Sequence, residues 1–156
     1  MNRTEQREQA FCLVFQSLFH NDETLAIYEE NVAAVGDFAR ELFEGVSSRE
    51  QELDDVINKY SKGWKANRLP KVNLAILRLA IYEIKYLDDV PNSVAINEAV
   101  ELAKKYSGEG DYSFINGILG SVAKGEEYCT LALIQAIIQH PLQPMTAQRS
   151  HRQKSF

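Results

Sequence analysis

Apolar residues recur at three- and four-residue steps through nearly the whole chain and strict alternation is almost absent, so the pattern predicts an all-α protein. Phe11, Val14, Phe15 and Leu18 form the inward stripe of a first helix over about residues 4–19. Leu25, Tyr28, Val32 and Val35 make the stripe of a second, opened by Asp22 or Thr24 and broken by Gly36. Asp37 is placed to cap a third, with Ala39, Leu42, Phe43 and Val46 inward. A capping box drawn from Ser47, Ser48, Glu50 and Gln51 leads into a fourth carrying Leu53, Val56, Ile57 and Tyr60.

Pro70 suits the first turn of a fifth helix that is apolar on most sides. Leu74, Leu77, Ile81 and Ile84 share one stripe, with Ile76 and Ala80 beside it, so this helix belongs at the centre. A turn around Pro91 precedes a sixth helix that buries Ile96, Ala99, Val100 and Ala103, and a loop over Ser107–Asp111 precedes a seventh with Ile115, Ile118, Leu119 and Val122 inward. Seven helices result.

The texture changes past Lys124. Tyr128 to Gln148 contain no Lys, Arg, Asp or Glu, and Arg149, His151, Arg152 and Lys154 then cluster at the end. The chain therefore divides into a helical domain, 1–124, and an appended tail, 125–156. Leu131, Ile134 and Ile138 lie on one stripe of a short tail helix and Leu133 and Ile137 on another, which calls for packing on the domain or on a second copy. Pro141 and Pro144 stop it and leave a loose end.

Composition narrows the functions. With 156 residues, 45% of them apolar, the chain buries a sizeable core. A net charge of −5 excludes a polycation that coats nucleic acid by bulk charge. The charge is uneven, however: residues 1–60 carry −8, residues 61–124 carry +2 and the remainder +1, so any nucleic-acid site must be local. Cys12 and Cys129 make no disulfide framework, and Cys12 reads as a small core filler, which suits a reducing, cytoplasmic compartment. No leader segment and no membrane span are expected. His20, His140 and His151 stand apart from metal-ligand spacing, no glycine-rich phosphate loop occurs, and the pairs Asp54–Asp55 and Asp88–Asp89 diverge on a helix instead of converging on one atom. Neither catalysis nor a cofactor is expected.

Several motifs occur in one order and spacing: Arg7-Glu-Gln-Ala10, Leu42-Phe-Glu-Gly-Val46, Leu69-Pro-Lys-Val72 running into Ile76-Leu-Arg-Leu-Ala-Ile-Tyr-Glu83, Val90-Pro91, Ile96-Asn-Glu-Ala-Val-Glu-Leu-Ala-Lys104 and Phe114-Ile-Asn-Gly-Ile-Leu119. Together, over residues 1–124, they resemble the NusB family of bacterial transcription antitermination factors. The resemblance implies two small helical bundles and a non-enzymatic RNA-binding factor. It also implies pairing with the ribosomal protein NusE on boxA-like single-stranded RNA, within an RNA polymerase elongation complex.

It further implies candidate RNA-binding residues. Arg3 and Arg7 stand where family members have an arginine-rich start; one helix turn apart, they share a face that would grip phosphates or stack on bases, the alternative being two solvated arginines paired with Glu8 and neighbouring acids. Phe15 and Phe114 match aromatics that lie near RNA, and both also fit core stripes. Lys104 and Lys105 suit either a helix dipole or a phosphate. Asn73 matches a position that faces the ribosomal partner. Arg78, Glu83, Asn97 and Asn116 read as architectural, with Arg78 linking to Glu83 and Glu98, and Gly117 as a point of close helix approach. Two other classes compete: a helical adaptor that binds only protein, possibly as a homodimer, and an RNA methyltransferase with a NusB-like domain. The second is disfavoured because no nucleotide-binding segment follows Lys124.

Overall fold

Seven α-helices and no strand occur among residues 1–139, the part of the chain that the computed structural model describes. They are α1 (Arg3–Ser17), α2 (Asn21–Glu30), α3 (Asp37–Ser47), α4 (Glu50–Tyr60), α5 (Lys71–Tyr86), α6 (Asn92–Tyr106) and α7 (Asp111–Gln139). Short 3-10 turns lie at Val32–Ala34 and Ala66–Arg68. The all-α class is as the periodicity requires. Contacts divide the chain into two compact units, Met1–Lys124 and Gly125–Phe156.

In the first unit α1, α2 and α3 pack on one another, α4 and α6 pack on α5, and α5 also lies against α1 and α3. The expected stripes supply one core, joined from α7 by Ile115, Ile118, Leu119 and Val122. Cys12 packs half-buried against it, and burial pushes its thiol pKa up. The Tyr28 hydroxyl donates to Glu44 at 2.6 Å, tying α2 to α3, and burial followed by that hydrogen bond raises the phenol to about 12.

Helix starts depart from expectation. α1 opens with a capping box: the Asn2 side chain accepts from the Glu5 amide and the Glu5 carboxylate accepts from the Asn2 amide, both at 2.9 Å. α3 is capped from another helix, since Gln6 Oε1 accepts from the amides of Phe38 and Ala39 at 2.9 and 3.2 Å. Asp37 is therefore a first-turn acid, not the cap. A Cβ on Gly36 would come within 2.3 Å of that Gln6 oxygen, so the side-chain cap needs glycine there. The box expected before α4 does not form, because the Ser48 hydroxyl turns back to the Gly45 carbonyl at 3.0 Å.

α5 is buried without interruption from Asn73 to Glu83, so its three polar residues must find partners inside the protein. Arg78 donates through Nε and Nη2 to both carboxylate oxygens of Asp54, each at 2.8 Å, where links to Glu83 and Glu98 are expected. Glu83 instead accepts from Arg7 Nε at 2.8 Å, with both side chains buried. This corrects the surface reading of Arg7: it stands in register with Ala10, Phe11 and Val14, extending the inward stripe of α1 by one turn. Asn73, expected to face a partner, is also buried, and its Oδ1 accepts from the Ser107 hydroxyl at 2.6 Å.

The close helix approach lies at Gly45, not Gly117. A Cβ on Gly45 would fall 2.2 Å from the buried Tyr82 ring, whereas one on Gly117 meets nothing within 4 Å. In the second unit α7 continues through residues 125–139 where a separate short helix is expected, and Leu131, Leu133, Ile134, Ile137 and Ile138 are exposed. The stop at Pro141 and Pro144 and the end beyond lie outside the described residues.

Two sets of variants test this packing. Gly45→Ala should lose about 1–3 kcal/mol through overpacking, less the roughly 1 kcal/mol that alanine adds to a helix, while Gly117→Ala should hold or gain stability; thermal melting compares them. Arg7→Ala should cost about 3–5 kcal/mol in urea unfolding, because it strands a buried carboxylate, and Arg7→Met with Glu83→Leu should recover most of it. Burial raises the Glu83 pKa above its ordinary 4.5 against the opposing charge of Arg7. The folded protein thus holds that proton to higher pH than the unfolded chain, and this contribution to stability is complete below about 4.5 and lost as pH rises through the folded value. Measured against pH, the wild type minus Glu83→Gln difference should show that decline.

Candidate nucleic-acid interface

Between α4 and α5 the chain forms a loop whose sequence, Ser61 to Pro70, holds Lys62, Lys65 and Arg68 and no acid. Lys62 and Gly63 take left-handed backbone angles, φ 49° and 98°, and turn the chain so that Trp64 stands 60% exposed. The Ser61 hydroxyl donates to the Trp64 carbonyl, and Asn58 Oδ1 accepts from the Ala66 amide at 2.8 Å, so the end of α4 holds the loop in place. Lys62, Lys65 and Arg68 are exposed and make no ion pair among the described residues. Trp64 and Lys62 line a groove of about 360 Å³ whose other wall, from α7, includes Phe114. Phe114 is half-buried there, with one part on the core and one part on the groove.

A second array follows α1. The rings of Phe11 and Phe15 stack at 5.9 Å, Phe15 meets Phe19 edge-on at 5.1 Å, and Phe11 meets Tyr106 of α6 at 5.0 Å. Phe11 is core, Phe15 half-buried, and Phe19 and Tyr106 exposed. Lys71 Nζ lies 4.2 Å above the Phe19 ring and Lys105 Nζ 5.3 Å from the Tyr106 ring. Aromatic faces with a cation at each end can take stacked bases and neighbouring phosphates.

Acids temper the remaining candidates. The Lys105 ammonium and the Tyr106 hydroxyl both donate to Glu8, which holds the Glu8 carboxyl below its usual range and raises the pKa of each donor. Lys104 lies 3.5 Å from Glu101 and 5.4 Å from the Tyr112 ring. Arg3 pairs with Asp89 at 2.9 Å across the surface and stacks on Phe38 at 4.4 Å. Of the residues singled out from sequence, Lys104 and Lys105 thus lie together with Glu8 in one groove; Arg3, Phe15 and Phe114 lie elsewhere, and Arg7 and Asn73 lie inside.

Trp64, Lys62, Lys65, Arg68, Phe19, Lys71 and Tyr106 join the set only with the structure in hand. The acid-free basic run around the single tryptophan is visible in the chain, whereas the pairing of Phe11 with Tyr106 spans two distant helices and has no local signal. No group of His, Cys, Asp and Glu among the described residues could hold a metal, and no described helix is long and apolar enough to cross a membrane.

Residues 4–124 match the model of the NusB family. The transcription antitermination protein NusB of Acetivibrio thermocellus is 49% identical over 131 residues, covering 80% of this chain and 90% of that protein. Its counterpart from Listeria monocytogenes is 43% identical over 125 residues, covering 79% and 97%. Among solved structures, T. maritima NusB superposes with a TM-score of 0.72 at 36% identity, covering 80% of this chain and 92% of that one. A chain of the complex of antitermination factors NusB and NusE with dsRNA does so with 0.65 at 25%, covering 80% and 99%. On a match that takes in nearly the whole first unit and relatives aligned along almost their full length, this chain belongs to the NusB family.

Proposed function

We propose that this protein binds a boxA-like single strand of RNA together with a ribosomal protein of the NusE kind, and that the pair supports RNA polymerase during transcription of ribosomal RNA. The observation that carries this reading is the exposed loop of Lys62, Trp64, Lys65 and Arg68, whose Lys62 and Trp64 share a groove with Phe114, a cationic and aromatic surface on an otherwise acidic protein. Bases stack on Trp64 and Phe114, and the unpaired cations take phosphates. Lys104, Lys105 and Arg3 add further phosphate contacts where their acidic partners Glu101, Glu8 and Asp89 yield to phosphate, and Phe15 adds a ring in the array along α1. Supporting the partner, a structurally similar NusB chain is solved in complex with NusE and dsRNA.

Three loop cations give only modest affinity alone, so a second protein is needed to complete the surface. The protein-only adaptor is favoured by one observation, the loss of Arg7 from the surface. Fluorescence anisotropy with a boxA-like oligonucleotide, with and without the ribosomal partner, separates the two. RNA binding should strengthen with the partner, and log K against log salt should slope at roughly −2 for about three single-strand phosphate contacts. Trp64→Ala should weaken binding about tenfold with unchanged melting. No binding even with the partner present leaves the adaptor.

A further inference from the structure

Asn97 of α6 and Asn116 of α7 belong to two of the motifs that mark this chain, and a structural role is expected for both. The structure gives them none. Both are exposed, neither makes a side-chain hydrogen bond among the described residues, and both line one groove of about 550 Å³ between α6 and α7. Ser93 and Ser113 add two hydroxyls without side-chain partners, Tyr112 an exposed ring and Lys104 a cation.

No carboxylate lines this groove, although α6 carries Glu98 and Glu101. Those two acids line the opposite hollow, against α1. One face of α6 is thus acidic and the other offers neutral donors and acceptors beside a lysine. Ile96 and Val100 form an apolar floor. The volume lies in the range of small-ligand clefts.

We infer that this groove is a base-reading subsite, taking one nucleotide of the bound single strand, with Asn97 and Asn116 as its specificity-determining residues. A carboxamide presents a donor and an acceptor side by side, the complement of a base edge. The Tyr112 ring offers a stacking face, and Lys104, which lies over that ring on the rim shared with the acidic hollow, supplies the charge for the adjoining phosphate by exchanging its pairing with Glu101 for it. Ser113 lines both this groove and the one formed by Phe114 and Trp64, so the two sites adjoin across the first turn of α7. The inference rests on the RNA reading above and adds sequence discrimination to a surface that otherwise recognises only backbone charge and ring faces.

The test is anisotropy of the full chain with the ribosomal partner, against a boxA-like oligonucleotide and a series with each base replaced in turn. Asn97→Ala and Asn116→Ala should each weaken binding about fivefold to tenfold, flatten the preference at one position of the series and leave the salt slope unchanged. Lys104→Gln should make the slope shallower by about 0.7 without altering base preference. If the wild type binds while the double asparagine variant matches it on every oligonucleotide, the subsite is wrong and the RNA reading stands. A double variant that keeps its RNA affinity but loses the ribosomal partner assigns the groove to protein and overturns the inference. A wild type that binds no RNA overturns both.

Discussion

Between α1 and α5 a guanidinium and a carboxylate face each other at 2.8 Å, both out of water. Neither Arg7 nor Glu83 is tolerable there alone, because an isolated buried charge costs several kcal/mol. The pair therefore sets how far α1 can slide or turn against the central helix. With Arg7 fixed inward, Phe11 and Val14 follow it into the core, Phe15 is left half-buried and Arg3 reaches the surface beside Asp89. Gln6, one residue before Arg7, is brought to the start of α3 and caps it. The aromatic row that runs from Phe19 to Tyr106 is thus aimed by an interaction that contributes no surface of its own.

Charge is managed locally. Glu8 is occupied by Lys105 and Tyr106, Asp89 by Arg3, and Glu52 by Lys85 and Tyr86. Surface pairs of this kind add little stability, but they cancel field. What remains uncancelled around Lys62, Lys65 and Arg68 then counts for more than the net charge suggests. A protein at −5 can present a cationic face because its acids are concentrated on the first sixty residues and many of its other cations are already engaged.

The start of α7 gathers two kinds of surface. On one flank are Trp64 and Phe114, suited to ring faces; on the other are Asn97 and Asn116, suited to ring edges. Faces are common to every base and edges are not, so in the proposed RNA complex the first flank would supply affinity and the second discrimination.

The chain by itself determined the seven helices, the central place of α5 and nearly every inward apolar stripe, because burial of a helix face is written into three- and four-residue spacing. The NusB likeness was legible for the same reason: its motifs are runs of contiguous residues. Tertiary structure decided which polar residues go inside. Arg3 and Arg7 are equivalent by spacing, and only the position of Glu83, seventy-six residues beyond Arg7, separates them. Asn73 went inward and Asn97 and Asn116 outward against expectation, because a polar residue's fate depends on the partner that a distant element brings. The cap on α3 from Gln6 and the close approach of Gly45 to Tyr82 belong to the same class. Periodicity specifies a face; what meets that face is set by contacts far apart in sequence, and local pattern carries no record of them.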